Sequence, residues 1–284
     1  MLAAGLGMGS VRKPCPRGST LQEGARGEVR GQERNETFLV LWLACIVGAL
    51  CVVPYVSTNV QLREALPPSL SRQMLIVLVL AQSTIVFAGL VFLGLVLSHR
   101  VGLGTPFISA RVAGATAPGF AGVALQSLLI GLTSGVVIFL LDRWAFGRFI
   151  EAITRAQDQA VWWSRLLACI YGGIDEEVAM RYALMTLLVW VGWRIRRTPD
   201  EKPTAVGVWI PIVVASVVMG LMHLPMSGHL AVVTPLVVVR AVVLNSVVAI
   251  PCGWFYWRHG LESAMAIHFG CDLALHSLLP LIIP

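Results

Sequence analysis

The chain has 284 residues, of which 57% are hydrophobic and only 13% are charged. A soluble domain carries about 25% charged residues, so this composition excludes an ordinary water-soluble protein and indicates one that lies in lipid. The net charge is +6, but most basic residues lie in the N-terminal segment or in loops between apolar runs, which argues against a nucleic-acid partner.

Residues 1–37 are rich in Gly and Arg and contain few large apolar side chains, so we expect a disordered basic tail. The first apolar run is too long for the core of a signal peptide, and no small-residue cleavage site follows it. The six cysteines include no CxxC pair, and five of them fall in apolar runs. We interpret them as small buried apolar residues rather than as a disulfide or zinc framework.

A helix that spans a membrane needs roughly 20 mostly apolar residues. The expected fold class is therefore all-α, a polytopic transmembrane helix bundle with about seven spans and a range of six to eight. The range is needed because the sixth apolar run contains Pro251, and it can form one kinked span or two shorter pieces. The predicted spans are 38–57, 74–97, 119–141, 166–193, 206–224, 231–257 and 261–283.

The chain divides into four predicted parts. The basic tail is followed by three uncharged spans within 38–141, and the spans that carry ionisable residues fill the core 166–284. Between these regions, residues 142–165 mix charged residues with three tryptophans, which is typical of an amphipathic helix at the membrane interface. A plain loop is the alternative for this segment.

The basic residues also predict an orientation. If the N-terminus is cytoplasmic, the cytoplasmic segments hold 13 Lys and Arg residues and the external segments hold 6. This bias favours a cytoplasmic N-terminus. The high Ala, Val, Gly and Arg content favours a bacterial source, and thus a multi-pass protein of the bacterial plasma membrane.

Ionisable side chains at membrane depth each cost about 2.5–3.5 kcal/mol on insertion scales, so they need a function or a partner. In the fourth span, Glu177 and Arg181 are four residues apart and can pair on a helix. Glu176 points about 100° away from Glu177 and has no such partner, which suits a general base. Asp175 precedes this pair and has no assigned role.

The later spans contribute imidazoles and a second carboxyl group. His268 and Asp272 are four residues apart on one face of the last span, and His223 lies near the end of the fifth. Three such helices can converge on one wet pocket that activates water, with or without a metal ion. His276 can extend this site, and Arg240 can pair with a carboxylate or reach the headgroups.

Other chemistries of proteases inside membranes lack their motifs here. The sequence contains no HExxH zinc motif, no GxSG serine motif and no paired YD and GxGD aspartyl motifs. By contrast, three other motifs occur in order: EExxxR at Glu176–Arg181, a histidine at His223 and HxxxD at His268–Asp272. His223 follows Glu176 by 47 residues, and His268 follows His223 by 45. This arrangement resembles the CAAX-protease and bacteriocin-processing (CPBP, or Abi) family, which includes type II CAAX prenyl endopeptidases.

The resemblance covers about 100 residues and implies a role for each matched side chain. Glu176 would activate water with help from His223, while His268 and Asp272 would hold the attacked carbonyl or its oxyanion. Glu177 and Arg181 would support the site. Two positions depart from the commonest pattern, because Met219 stands where the family usually has Phe, and Asp272 stands where it often has Asn.

The family is named as metalloproteases, so Glu176, His223 and His268 are candidate ligands for a divalent metal such as zinc. A metal-free, glutamate-activated water is the competing mechanism. The implied function is an intramembrane endopeptidase, a hydrolase acting on a membrane-associated peptide or protein such as a prenylated CAAX tail. The alternative is a non-enzymatic membrane protein, either an immunity or partner-binding protein or a proton-coupled transporter.

Overall fold

The computed structural model describes residues 17–59, 66–147, 160–225, 228 and 232–282. Within these residues the chain forms an all-helical bundle with seven helices long and apolar enough to cross a membrane, which confirms the predicted fold class and number of spans. A short eighth helix, α3, lies between the second and third spans. The helices are α1 Arg17–Thr58, α2 Arg72–Val101, α3 Pro106–Val112, α4 Phe120–Phe146, α5 Trp162–Ile195, α6 Ala205–Met222, α7 Pro235–His259 and α8 Leu261–Ile282.

The predicted tail is wrong in its second part, because α1 begins at Arg17 and residues 17–37 are helical. The apolar part of α1 supplies the nucleus, and adding further turns to an existing helix is far easier than starting one. The Gln, Glu and Arg residues of this stretch are also good helix formers. The remainder of the predicted tail, residues 1–16, lies outside the described residues.

The predicted interfacial helix at 142–165 is also wrong at both of its ends. Its first residues extend α4 through a π-helical turn, Asp142–Phe146, and its last residues open α5 at Trp162. The helix can continue past Asp142 because Arg240 of α7 neutralises that carboxylate, donating from Nε to Asp142 Oδ1 at 2.7 Å. Residues 148–159 lie outside the description.

The Asp142–Arg240 ion pair resolves the two interpretations of Arg240, which pairs with a carboxylate rather than reaching the headgroups. α7 is one continuous helix although it contains Pro251, so the alternative of two shorter pieces is wrong. Packed neighbours in a bundle tolerate the missing backbone bond of such a proline. Thr234 begins the helix by accepting a hydrogen bond from the Val237 backbone N–H.

Glycines allow α4 and α8 to pack backbone against backbone. A Cβ at Gly131 would overlap the Ile267 carbonyl oxygen, and one at Gly135 would lie 2.6 Å from the Cys271 carbonyl oxygen. The two glycines form a GxxxG pattern, which permits close approach of helices in membranes. This packing holds α8 in the bundle at the level of His268.

α5 lies in the centre of the bundle and contacts α1, α2, α6, α7 and α8. Its buried side chains include Val178, Tyr182 and Met185, which belong to the main apolar core. The Tyr182 ring packs against Gly94 of α2, where any Cβ would collide with it. Asp175, Glu177 and Arg181 of α5 are buried within this bundle.

The N-terminal end of α8 is fastened to the segment between α2 and α4. The Leu261 backbone N–H donates to the Gly104 carbonyl at 2.9 Å. At the second residue of α8, Glu262 Oε1 accepts a hydrogen bond from the Ile108 backbone N–H of α3 at 2.7 Å. These bonds fix the start of α8 along its axis, and thereby the height of His268 in the bundle.

Candidate active site

Glu176 and Glu177 are adjacent in α5 but occupy different environments. They lie in a widened part of the helix, where one π-helical stretch covers Gly172–Glu176 and a second begins at Val178. Such wide turns inside α-helices are frequent at functional sites. The Glu176 side chain is 27% exposed and the Glu177 side chain is fully buried. Only the first carboxyl group can therefore reach a small molecule.

Glu177 is bound on one oxygen by two donors. Its Oε1 lies 2.9 Å from Arg181 Nη1, and it accepts a 2.7 Å hydrogen bond from His268 Nδ1. The predicted pairing of Glu177 with Arg181 is confirmed, and both side chains are buried in the protein interior. Because a carboxylate can only accept, the His268 proton on this side must reside on Nδ1.

Arg181 is itself held from two further helices. Its Nη2 donates to the Ala249 carbonyl of α7 at 3.0 Å, and its Nη1 lies 3.2 Å from Met219 Sδ of α6. These contacts lower the cost of burying the Arg181 guanidinium group with its partner. Met219, which stands where the resembled family usually has Phe, thus contacts the buried ion pair directly.

The second ring nitrogen of His268 points towards two other carboxyl groups. His268 Nε2 lies 3.9 Å from Glu176 Oε2 and 3.7 Å from Asp272 Oδ1. Both separations exceed a direct hydrogen bond, so an oxygen atom of water or substrate can bridge them. The structure therefore brings Glu176, His268 and Asp272 together around one point.

Gly172 keeps this point open on the α5 side. A Cβ there would overlap Asp272 Oδ2 and lie 3.4 Å from His268 Nε2. The residue is buried where α5 meets α8, one helical turn before Glu176. The glycine pair Gly172–Gly173 is the signal in the sequence that could have indicated this close approach.

His223 follows the last turn of α6. Its ring Nδ1 donates to the Met219 carbonyl at 2.8 Å. Met219 in turn contacts Arg181, so His223 is connected to the buried pair through one residue. A direct approach of His223 to Glu176 stays a prediction.

His276 extends the row of imidazole and carboxyl groups along α8. Its Nε2 lies 3.9 Å from Asp272 Oδ1, so Asp272 stands between His268 and His276. The His276 side chain is partly exposed, at 31%. The prediction that it can extend the site agrees with this placement.

The described side chains do not form a metal-binding set. Among the residues with described positions, no group of three or more His, Cys, Asp and Glu side chains is arranged to hold a metal ion. His268 donates its Nδ1 hydrogen to Glu177, and its Nε2 lies 3.9 Å from Glu176 Oε2. The set of Glu176, His223 and His268 as ligands of a divalent metal ion stays a prediction.

Residues 158–274 match the model of a protein family described as Rce1-like type II CAAX prenyl endopeptidases. The match confirms the resemblance inferred from the motifs, and it includes each of the predicted site residues. No curated protein and no solved structure matches the chain. α1–α4 lie outside the matched region.

Proposed function

Starting from an Rce1-like type II CAAX prenyl endopeptidase region at residues 158–274, we propose that this chain hydrolyses a peptide bond of a membrane-associated substrate. A prenylated CAAX tail is the first candidate substrate. The observation that best supports the proposal is the accessible Glu176 carboxyl group, which faces the His268 ring across 3.9 Å inside a transmembrane bundle. Carboxylate and imidazole groups at such depth are expensive unless they perform a function.

In the proposed reaction, Glu176 accepts a proton from a water molecule while the water oxygen attacks the scissile carbonyl carbon. The carbonyl π electrons move to its oxygen and form a tetrahedral oxyanion. His268, protonated on both nitrogens, donates from Nε2 to that oxyanion while its Nδ1–H remains bonded to Glu177.

Collapse of the tetrahedral intermediate completes the cycle. The oxyanion reforms the carbonyl group, the C–N bond breaks, and Glu176 returns its proton to the leaving nitrogen. One product carries the new carboxylate and the other carries the new amine, so a single water is consumed. Asp272 orients His268 Nε2 between turnovers, and Glu177 with Arg181 fixes the ring plane.

We propose this mechanism without a metal ion, since no group of three or more His, Cys, Asp and Glu side chains among the described residues is placed to hold one. His223 assists Glu176 by polarising the same water from Nε2. Chelation and elemental analysis distinguish the metal-free mechanism from a metal-dependent one. Unchanged cleavage after chelation and less than one metal per chain would support the proposal, whereas loss of cleavage that zinc restores would overturn the metal-free step.

The transporter alternative requires a path of ionisable groups across the bilayer. In the described part of the chain, Glu176, Glu177, Arg181 and Asp272 instead gather around His268. A cluster within one site suits hydrolysis better than conduction. A partner-binding role would leave the fold intact without turnover, and the cleavage assay separates it from the proposal.

The test is cleavage of a farnesylated peptide ending in a CAAX sequence by the full chain in proteoliposomes, followed by mass spectrometry. The same peptide without the prenyl group is the substrate control. Glu176→Gln should lower kcat by at least about 100-fold, while Glu201→Gln in the exposed loop after α5 should leave it unchanged. Equal cleavage by wild type and Glu176→Gln would refute the mechanism, and no cleavage by wild type would refute the hydrolase.

The seven apolar helices and the matched family make this an integral membrane protein. We further propose that it lies in a bacterial plasma membrane with its N-terminus in the cytoplasm. Three arginines stack on tryptophans near the ends of α5 and α7, at Trp190, Trp193 and Trp257. Both ends fall on the cytoplasmic side in this orientation, as the excess of basic residues there requires.

A further inference from the structure

Asp175 precedes Glu176 and Glu177 in α5 but takes no part in the proposed reaction. Its side chain is fully buried, and neither carboxyl oxygen has a hydrogen-bond partner on another described residue. A carboxyl group without a partner is costly to bury, so an interior position for it needs a reason. It immediately precedes Glu176 and lies in the same π-helical turn, Gly172–Glu176.

The Asp175 carboxyl group rests on Gly48 of α1. A Cβ added to Gly48 would overlap Asp175 Oδ2 and would lie 3.0 Å from Asp175 Cγ and 3.5 Å from Oδ1. Only a glycine at position 48 therefore leaves room for the side chain in this conformation. Cys45, one turn earlier on α1, is also fully buried, so this part of α1 faces the interior of the bundle.

The opposite side of the same turn rests on α8. Gly172 packs against Asp272 and His268, and an added Cβ at Gly173 would lie 3.0 Å from Phe269 Cβ. The turn that carries Glu176 therefore lies between α1 and α8. Asp175 contacts α1, and Gly172 and Gly173 of the turn contact α8. Movement of Asp175 would shift the backbone next to Glu176 directly.

We propose that Asp175 is a positioning residue, which by its packing on Gly48 holds the Glu176 carboxyl group at its distance from His268. The proposal rests on the proposed hydrolase function and adds that α1, which lies outside the matched family region, belongs to the framework of the active site. Asp175 touches neither substrate nor reacting atoms. Its shape, rather than its charge, performs the role.

The first experiment compares glycine variants in cleavage of the farnesylated peptide. Gly48→Ala should lower kcat by about 100-fold and change KM by less than about threefold, because a displacement of about 1 Å in a catalytic group costs this much in rate. Gly89→Ala in α2 is the matched control, since a Cβ there meets nothing within 4 Å. Equal kcat values for the two variants would overturn the proposal.

Variants of Asp175 distinguish the effect of the side chain's shape from the effect of its charge. They also test the proposal if Gly48→Ala does not fold. Asp175→Asn keeps the shape and should retain kcat within about threefold of wild type, unlike Glu176→Gln. Asp175→Ala should lower kcat by about 10-fold, and the double variant Gly48→Ala/Asp175→Ala should recover activity because the new methyl group occupies the vacated space. An Asp175→Asn variant as inactive as Glu176→Gln would overturn the role of shape.

A measurement without substrate separates failure of this proposal from failure of the proposed function. Dicyclohexylcarbodiimide in the membrane should label Glu176, which is 27% exposed, and should spare the fully buried Asp175. Gly48→Ala should change the ratio of labelling at these two residues, and Gly89→Ala should not. If wild type cleaves nothing but this change occurs, the hydrolase fails and the Gly48–Asp175 positioning stands. An unchanged ratio in Gly48→Ala overturns the positioning.

Discussion

His268 donates its Nδ1 hydrogen to Glu177 Oε1 at 2.7 Å, and the same oxygen lies 2.9 Å from Arg181 Nη1. One buried carboxyl group thereby joins α5 to α8 and sets the plane of the imidazole ring. Its second oxygen, Oε2, has no hydrogen-bond partner among the described residues. The two glutamates of the motif thus differ in environment, since Glu177 is buried in this pair and Glu176 is accessible for the proposed reaction.

This division predicts that Glu177→Gln destabilises the protein while Glu176→Gln does not. Removing the Glu177 charge leaves Arg181 buried without its counter-charge, which costs about 3–5 kcal/mol. Thermal unfolding in detergent should show a clear fall in Tm for Glu177→Gln and a Tm near that of wild type for Glu176→Gln. Equal Tm values for the two variants would show that the buried pair does not support the fold.

Asp272 offers a second prediction, because its oxygen faces His268 Nε2 at 3.7 Å. Asp272→Asn keeps an oxygen acceptor in place and should retain kcat within about 10-fold, whereas Asp272→Leu removes it and should lower kcat about 100-fold. Both are measured as initial rates on the farnesylated peptide. If the leucine variant were as active as the asparagine variant, Asp272 would have no part in orienting the ring.

The sequence predicted the helices and two of the side-chain pairs well, because both leave local signals. Apolar runs of sufficient length marked the seven spans, and the four-residue spacing of Glu177 and Arg181 predicted their ion pair. The HxxxD spacing likewise placed Asp272 beside His268.

Contacts between distant helices were not predictable in this way. Nothing near Gly48 in the sequence indicates that it faces Asp175, since the two residues are brought together only by the packing of α1 on α5. The ion pair of Asp142 with Arg240 is also a contact between distant helices. Because Asp142 was not identified as the partner of Arg240, the third span was predicted to end too early, at residue 141. The helical start at Arg17 was missed because composition alone ignores the extension of an adjacent helix.

The packing of α4 on α8 gives a third prediction. Gly131→Ala places a methyl group on the Ile267 carbonyl, whereas Gly122→Ala in the same helix meets nothing within 4 Å. The first substitution should force α4 and α8 apart and lower both Tm and kcat, since overpacking costs about 1–3 kcal/mol. The second should change neither. Indistinguishable melting curves would mean that the two helices separate without cost.

The Asp142–Arg240 ion pair gives a fourth prediction, tested by a double-mutant cycle. Arg240→Met alone leaves Asp142 largely buried and uncompensated, and Asp142→Leu alone does the same to Arg240. The double variant removes both charges and should therefore unfold at a higher temperature than either single variant. A double variant less stable than both singles would contradict a direct coupling between the two side chains.

Gly260 is the whole connection between α7 and α8, and its φ of 95° favours glycine. Two helices joined by one residue cannot separate at that end of the bundle, where α8 is also fastened to Gly104 and Ile108. A membrane-borne substrate of the proposed hydrolase would therefore not pass between α7 and α8 at that end of the bundle.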